Sequence, residues 1–213
     1  MKPSVEVIQF SLGPLETNCY IVADTSSERA VIIDPAAEGE WLAEQIAHRN
    51  WQLDKILLTH GHVDHIAGLH ALRSETGVEV GIHADDQDML IRPAKNLSLL
   101  MGISIQTDPP EILLEHDAIV PLGESQLRVI HTPGHTPGSV SFIVDDILIS
   151  GDTIFRNSVG RADFPGASFE QLIESIQSRL MVLDDSIRIL PGHGMESTIG
   201  HERQRNPYLQ TAV

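Results

Sequence analysis

Thiols are nearly absent from this chain: Cys19 is its one cysteine, so no internal disulfide can form and a reducing compartment is expected. Basic side chains are also scarce, 14 Lys and Arg against 30 Asp and Glu, for a formal net charge of −16. Such a balance repels phosphate backbones and anionic bilayers, which argues against a nucleic-acid or membrane partner. No apolar run approaches the roughly 18 residues a membrane-spanning helix needs. The start, "MKPSVEVIQF", has no long apolar segment followed by a small-residue cleavage site, so no secretory signal is read there and a cytoplasmic location is expected. Repeats, low-complexity tracts and proline- or serine-rich linkers are missing as well. With 213 residues and 41% hydrophobic side chains, a single domain over 1–213 with a real core is expected.

The runs that are present set out the secondary structure. "VEVIQF", "NCYIVAD" and "RAVIID" read as strands separated by turn-formers such as Gly13-Pro14 and Ser26-Ser27. Trp41, Leu42 and Ile46 form an apolar stripe at helical spacing within residues 38–50. "DKILLTH" reads as a buried strand, "DHIAGLHALRSETG" as one helix closed by Gly77, and "VEVGIH" as a further strand. Residues 84–117 read as a helical or irregular insertion bordering the site, with nothing in it that names a ligand. Strands follow in "QLRVIHTPGH", "SVSFIVDD", "ILISGD" and "SIRILPGH", and a helix is expected over Phe169 to Leu183, with Ser168 and Gln171 spaced as a capping box. A short tail closes the chain. Sheets inside and helices outside are the layers this order implies.

Four of the apolar runs end in residues that can ligate metal. "KILLTH" opens into His60, His62, Asp64 and His65; the other three deliver His135, Asp152 and His193, each beside or near a glycine. Glycine permits the sharp turns and close backbone approach that let strand-end side chains share one mouth. Five imidazoles and two carboxylates exceed what one tetrahedral ion takes. They suit two divalent ions bridged by a carboxylate, at a typical separation of about 3.5–4 Å. All donors are nitrogen or oxygen, which suits zinc first and also iron or manganese. The other histidines, His48, His70, His83, His116, His131 and His201, read as solvated loop or surface residues.

"THGHVDH", His135 in "PGHTPGS", Asp152 in "SGD" and His193 in "PGHG" together resemble the metallo-β-lactamase superfamily, over about residues 5–205. The resemblance implies an α/β fold, the αββα four-layer sandwich, with metals at one edge. It also implies a division of ligands: His60, His62 and His135 on one metal, Asp64, His65 and His193 on the other, Asp152 between them.

Within that superfamily, β-lactamases are disfavoured, because their common form has cysteine where this chain has Asp152 and they are secreted. RNA-processing members carry a basic extension, and diiron electron-transfer members replace a histidine of the first motif and add a flavin domain; neither feature occurs here. "GDTIFRNSVGRADFPG" and "GHERQRNPYL" look like short bacterial glyoxalase II-type proteins. That likeness implies a hydrolase cleaving a thioester such as S-lactoylglutathione, with water shared between two ions losing its proton and attacking the acyl carbon. Asp152 and Asp64 are then the catalytic carboxylates, the first holding the ions together and the second anchoring one. Full-length glyoxalase II grips glutathione with a C-terminal helical domain that has no counterpart here, which leaves the loop carrying Arg156 and Arg161. The alternative is an iron-dependent persulfide dioxygenase acting on glutathione persulfide, whose "GR-x-DF" loop matches Gly160, Arg161, Asp163 and Phe164. Arg161 reads either as a clamp for a substrate carboxylate or as half of a structural ion pair. Asp34 reads either as an acceptor orienting a ligand loop or as an ordinary strand-end aspartate before Pro35. Cys19 is expected in the core.

Overall fold

The computed structural model describes residues 5–210. The stretch read above for a leader includes residues 1–4, which lie outside that range. Strands β1 (Val5–Leu12), β2 (Thr17–Asp24), β3 (Arg29–Ile33), β4 (Gln52–Leu57), β5 (Glu79–His83) and β6 (Ile112–Leu114) make one sheet in that order. β1 to β3 pair antiparallel, and β3 to β6 pair parallel. The second sheet draws on β7 (Ile119–Leu122), β8 (Ser125–His131), β9 (Val140–Val144) and β10 (Ile147–Gly151). After the small hairpin of β11 (Ile154–Phe155) and β12 (Ser158–Val159), β13 (Arg188–Pro191) and β14 (Ser197–Thr198) complete it in the order β14-β13-β10-β9-β8-β7. The helices are α1 (Gly39–His48), α2 (Val63–Ile66), α3 (Leu69–Thr76), α4 (Gln87–Ile91), α5 (Phe169–Ser175) and α6 (Ile199–Arg205). Among the described residues no helix is long and apolar enough to cross a membrane.

Three apolar seams hold four layers together, giving the expected αββα sandwich. Leu42 and Ile46 of α1 and Leu69 and Leu72 of α3 pack on Ile21, Ile32, Ile56 and Val80 of the first sheet. Between the sheets, Tyr20, Val31, Ile33 and Leu57 meet Leu127, Val129, Phe142 and Ile149. On the far side Leu172, Ile176 and Ile199 cover Ile130, Leu148 and Ile189. Because β2 is buried on both faces, Cys19 and Ile21 serve one seam while Tyr20 and Val22 serve the next. That is why its sequence is a continuous apolar run rather than an alternation. Each such side chain withdrawn from water stabilises the fold by about 1.5–3 kcal/mol.

The strands that matter run the same way. β8 and β10 each pair antiparallel with β9, and β10 pairs parallel with β13, so β8, β10 and β13 point in one direction. β3 and β4 are likewise parallel to each other in the first sheet. The sheets are pinned together at these carboxyl ends: Asn18 N–H donates to Gly192 O at 2.7 Å and Tyr20 Oη to Pro191 O at 2.7 Å. Val140 N–H donates to Thr59 O at 2.8 Å. Loops leaving five parallel-running strand ends therefore face one shared mouth, the usual ligand position in sheets with parallel strands.

Several expectations change. The helix expected over residues 64–77 is broken into α2 and α3 at Gly68. Its N–H donates to Pro35 O at 2.9 Å, and a Cβ there would sit 2.6 Å from Ala37 O. Close passage against residues 35–37 wins over helical continuity. The helix expected over 169–183 is α-helical only to Ser175, then widens into a π-turn over Ile176–Leu180. That turn keeps Ile176 and Leu180 within the far-side seam. Ser168 Oγ does accept from Gln171 N–H at 3.3 Å, the cap the spacing implied. Residues 84–117 contain α4, a second short helical turn over Ser98–Met101 and the edge strand β6. The tail forms α6, whose Glu202 is buried and accepts from Asn157 N–H at 2.9 Å.

Candidate metal centre

His60 and His62 follow β4, Asp64 and His65 lie in α2, His135 follows β8, Asp152 follows β10 and His193 follows β13. The fold brings all seven to one mouth. His60 Nε2 lies 3.1 Å from His62 Nδ1, which lies 2.9 Å from His135 Nε2. Three nitrogens bound to one tetrahedral zinc at about 2.0–2.1 Å would be about 3.3 Å apart, close to this spacing. Beside them, His193 Nε2 is 3.1 Å and His65 Nε2 3.6 Å from Asp64 Oδ2.

Asp152 stands between the two groups. Its Oδ1 is 3.4 Å from His65 Nε2, while its Oδ2 is 3.6 Å from His135 Nε2 and 3.7 Å from His193 Nε2. Asp152 Oδ1 and His65 Nε2 are both buried and satisfied by no hydrogen bond. Orphaned atoms of this kind cost stability unless something else meets them. Two neighbouring donors left unmet, aimed at one point between two clusters, fit a cation there. Gly192 closes the cradle, since a Cβ at that position would fall onto Asp152 Oδ1 and crowd His65 Cε1.

What aims the imidazoles is the bond made by each ring's other nitrogen. His65 Nδ1–H donates to Asp34 Oδ2 at 2.9 Å. Thr59 Oγ1 lies 2.6 Å from the same oxygen, so its single proton goes to the carboxylate and it accepts from His60 Nδ1–H at 3.1 Å. His135 Nδ1–H donates to Arg161 O at 2.7 Å, and His193 Nδ1–H to Leu15 O at 3.2 Å. All four Nε2 atoms are thereby turned into the mouth. Asp34 is an orienting acceptor, not an idle strand-end residue. It sits at φ 53°, with Oδ1 also accepting from Thr59 N–H at 2.7 Å.

Electrostatics agree with the geometry. Burial and the neighbouring imidazoles push His60 well below its ordinary value and His62 down to about 3, so both are neutral donors at pH 7. Burial works against ionising Asp64 and Asp152, yet the charge on His65 holds both below the usual carboxylate range. Burial also works against a charged His65, but Asp152, Asp64 and Asp34 raise it well above the ordinary imidazole value. Three carboxylates around one ring call for positive charge.

Residues that sequence reasoning missed hold the ligand loops. Asp86, fully buried, accepts from Gly138 N–H at 2.8 Å, Thr136 Oγ1 at 2.6 Å and Gly61 N–H at 3.3 Å. It staples the loop of His60 and His62 to the loop of His135 from within the stretch that names no ligand. Its signal is a pair of aspartates directly after a buried strand. Thr17 Oγ1 donates to Asp64 Oδ2 at 3.1 Å.

The cluster opens into a cavity of about 510 Å³ whose lining includes Arg161, Phe155 and Phe164. The Arg161 side chain is exposed and bidentate to Asp163, at 3.0 and 2.8 Å, with its guanidinium 4.3 Å from the centre of the Phe164 ring. Arg156 donates to Glu196 O at 3.2 Å and is not among the lining residues. Cys19 is buried and free, with burial pushing its thiol far up. Of the histidines read as solvated, His83 and His131 instead stack half-buried, ring centres 4.0 Å apart, joining the ends of β5 and β8.

The chain is similar to known proteins. Hydroxyacylglutathione hydrolase GloC of Haemophilus influenzae is 33% identical over 212 residues, covering 98% of this chain and 99% of that one. The crystal structure of BLEG-1 B3 metallo-beta-lactamase is 35% identical with a TM-score of 0.91, covering 96% of this chain and 100% of that one. TTHA1623 in a di-iron-bound form is 34% identical with a TM-score of 0.84, covering 95% and 100%. The family model for the metallo-beta-lactamase superfamily matches residues 12–193, and the chain belongs to that superfamily.

Proposed function

We propose that this protein is a metal-dependent hydrolase with a dinuclear site that cleaves a thioester, S-lactoylglutathione being the reference substrate. The observation that carries the reading is the placing of Asp152, with one oxygen toward His65 and the other toward His135 and His193. His60, His62 and His135 would hold one ion, Asp64, His65 and His193 the other, and Asp152 both; a di-iron relative supports two ions in such a set. The hydroxyacylglutathione hydrolase relative supports the substrate class.

Bound divalent ions supply Lewis acidity, which activates water and offsets negative charge on the acyl oxygen. The rest of the chemistry belongs to the chain. Asp34 and Thr59 engage Nδ1 of His65 and His60, so Nε2 of each ring is the atom offered to the mouth. Asp64 Oδ2, fixed by Thr17 and His193, anchors one side. Val63, Phe155 and Phe164 exclude bulk water from the acyl group. Water adds to the acyl carbon, the C–S bond breaks, and a carboxylate and a thiol leave, with one proton released to solvent. No serine or cysteine nucleophile is required; Cys19 is buried in the core.

The test is hydrolysis of S-lactoylglutathione by protein loaded with zinc, iron or manganese, with free thiol as the readout. Release that depends on metal and is lost in Asp152→Ala is the expected result. Iron-dependent oxygen uptake with glutathione persulfide, without thioester cleavage, would replace this reading with the dioxygenase.

A further inference from the structure

The cavity beside the ligand cluster is walled by carbon more than its charged floor suggests. Leu97, Leu100, Met101, Val63, Phe155 and Phe164 surround His62, Asp64, His135, Asp152 and His193. Leu100 is 77% and Met101 44% exposed, an unusual position for large apolar side chains on a chain this acidic. They are not loosely held. Asn96, fully buried, donates to Met89 O and Ile105 O at 2.9 Å each and accepts from Ser98 N–H at 3.0 Å. Ser98 Oγ accepts from Ile105 N–H at 3.2 Å, and Val63 N–H donates to Asn96 O at 2.9 Å. A buried polar staple thus ties the Leu97–Gly102 turn to α2, which carries Asp64, and presents its apolar tip over the mouth.

The cavity has little to offer an anion beyond bound metal. Arg161 is the one lysine or arginine in its lining among the described residues, and both sides of its guanidinium are taken, by Asp163 and by the Phe164 ring. A biological thioester has two arms: a carrier thiol, which is polar and often charged, and an acyl group, which can be wholly apolar. The wall suits the second.

Building on the hydrolase reading, we propose that the substrate is a thioester with an uncharged, apolar acyl chain, seated against Val63, Leu97, Leu100, Met101 and Phe164. Its polar carrier points out of the mouth. Concave, largely apolar walls with a few convergent polar groups are the usual build of a small-molecule site.

The experiment uses the metal-loaded protein and thioesters of one neutral thiol, N-acetylcysteamine, with acyl chains from acetyl to octanoyl. Burial of each added methylene raises kcat/KM about fourfold until the pocket is filled. Leu100→Ser with Met101→Ser cuts the octanoyl-to-acetyl ratio at least tenfold. Leu99→Ser, on the same turn but outside the cavity lining, leaves that ratio unchanged. Calorimetric binding of acetate and octanoate to the same protein separates this idea from the hydrolase reading. Octanoate binding at least tenfold tighter than acetate, with the gain lost in the double variant, supports the apolar seat even if no thioester turns over. A flat chain-length profile together with equal binding of the two acids overturns it, whatever the rate of thioester cleavage.

Discussion

His65 Nδ1 lies 2.9 Å from Asp34 Oδ2, a bond between two buried side chains, one in α2 and the other directly after β3. It determines which nitrogen of His65 faces the mouth. In Asp34→Asn, the amide oxygen is retained by Thr59 N–H, so the NH₂ faces His65 and turns the ring proton toward the ligand cluster. The expected outcome is a 10–100-fold loss of affinity for the second metal with the fold intact. Metal titration alongside circular dichroism checks it.

At the opposite end of the sandwich, Asp24 is buried and accepts from Glu124 N–H at 2.6 Å and Ser26 N–H at 3.0 Å, joining the two sheets. Burial alone would raise its pKa, but these bonds and the Ser26 hydroxyl hold it down to about 2 against an ordinary 3.8. A depressed carboxylate contributes stability that is complete above its unfolded pKa and is lost as pH falls toward the folded one. Asp24→Asn is expected to cost about 1.5–3 kcal/mol at neutral pH, through loss of hydrogen bonds to a charged group. It should also flatten the fall in stability between about pH 4 and pH 2. Urea unfolding across that pH range is the measurement.

Gly68→Ala tests why the expected helix breaks. An added methyl would meet the carbonyls of Pro35 and Ala37 at 2.9 and 2.6 Å. Despite the better helix propensity of alanine, a loss of about 1–3 kcal/mol is expected from overpacking. A gain in the urea midpoint would show that the break has another cause.

Much of the site was legible because a metal cluster places rare residue types at strand ends. His60, His62, Asp64 and His65 sit within six consecutive residues, and His135, Asp152 and His193 each follow an apolar run. What stayed hidden acts through space. Asp86 serves Gly138, and the carbonyls of Leu15 and Arg161 orient His193 and His135, yet any residue type can supply a carbonyl. The layers were legible from runs such as those of β2 and β10, buried on both faces. The short edge strand β6 and helix α6 were not, because three or seven residues carry too little periodicity to stand out. The break at Gly68 depends on residues 35–37, far along the chain, and no local pattern announces it.

Elemental analysis of the purified wild-type protein and of Asp152→Ala, each assayed for thioester cleavage, tests the central claim most directly. Close to two divalent ions per chain in the wild type, with metal and activity both lost in the variant, is the predicted result. Full activity in metal-free protein, or two retained ions in Asp152→Ala, would contradict it.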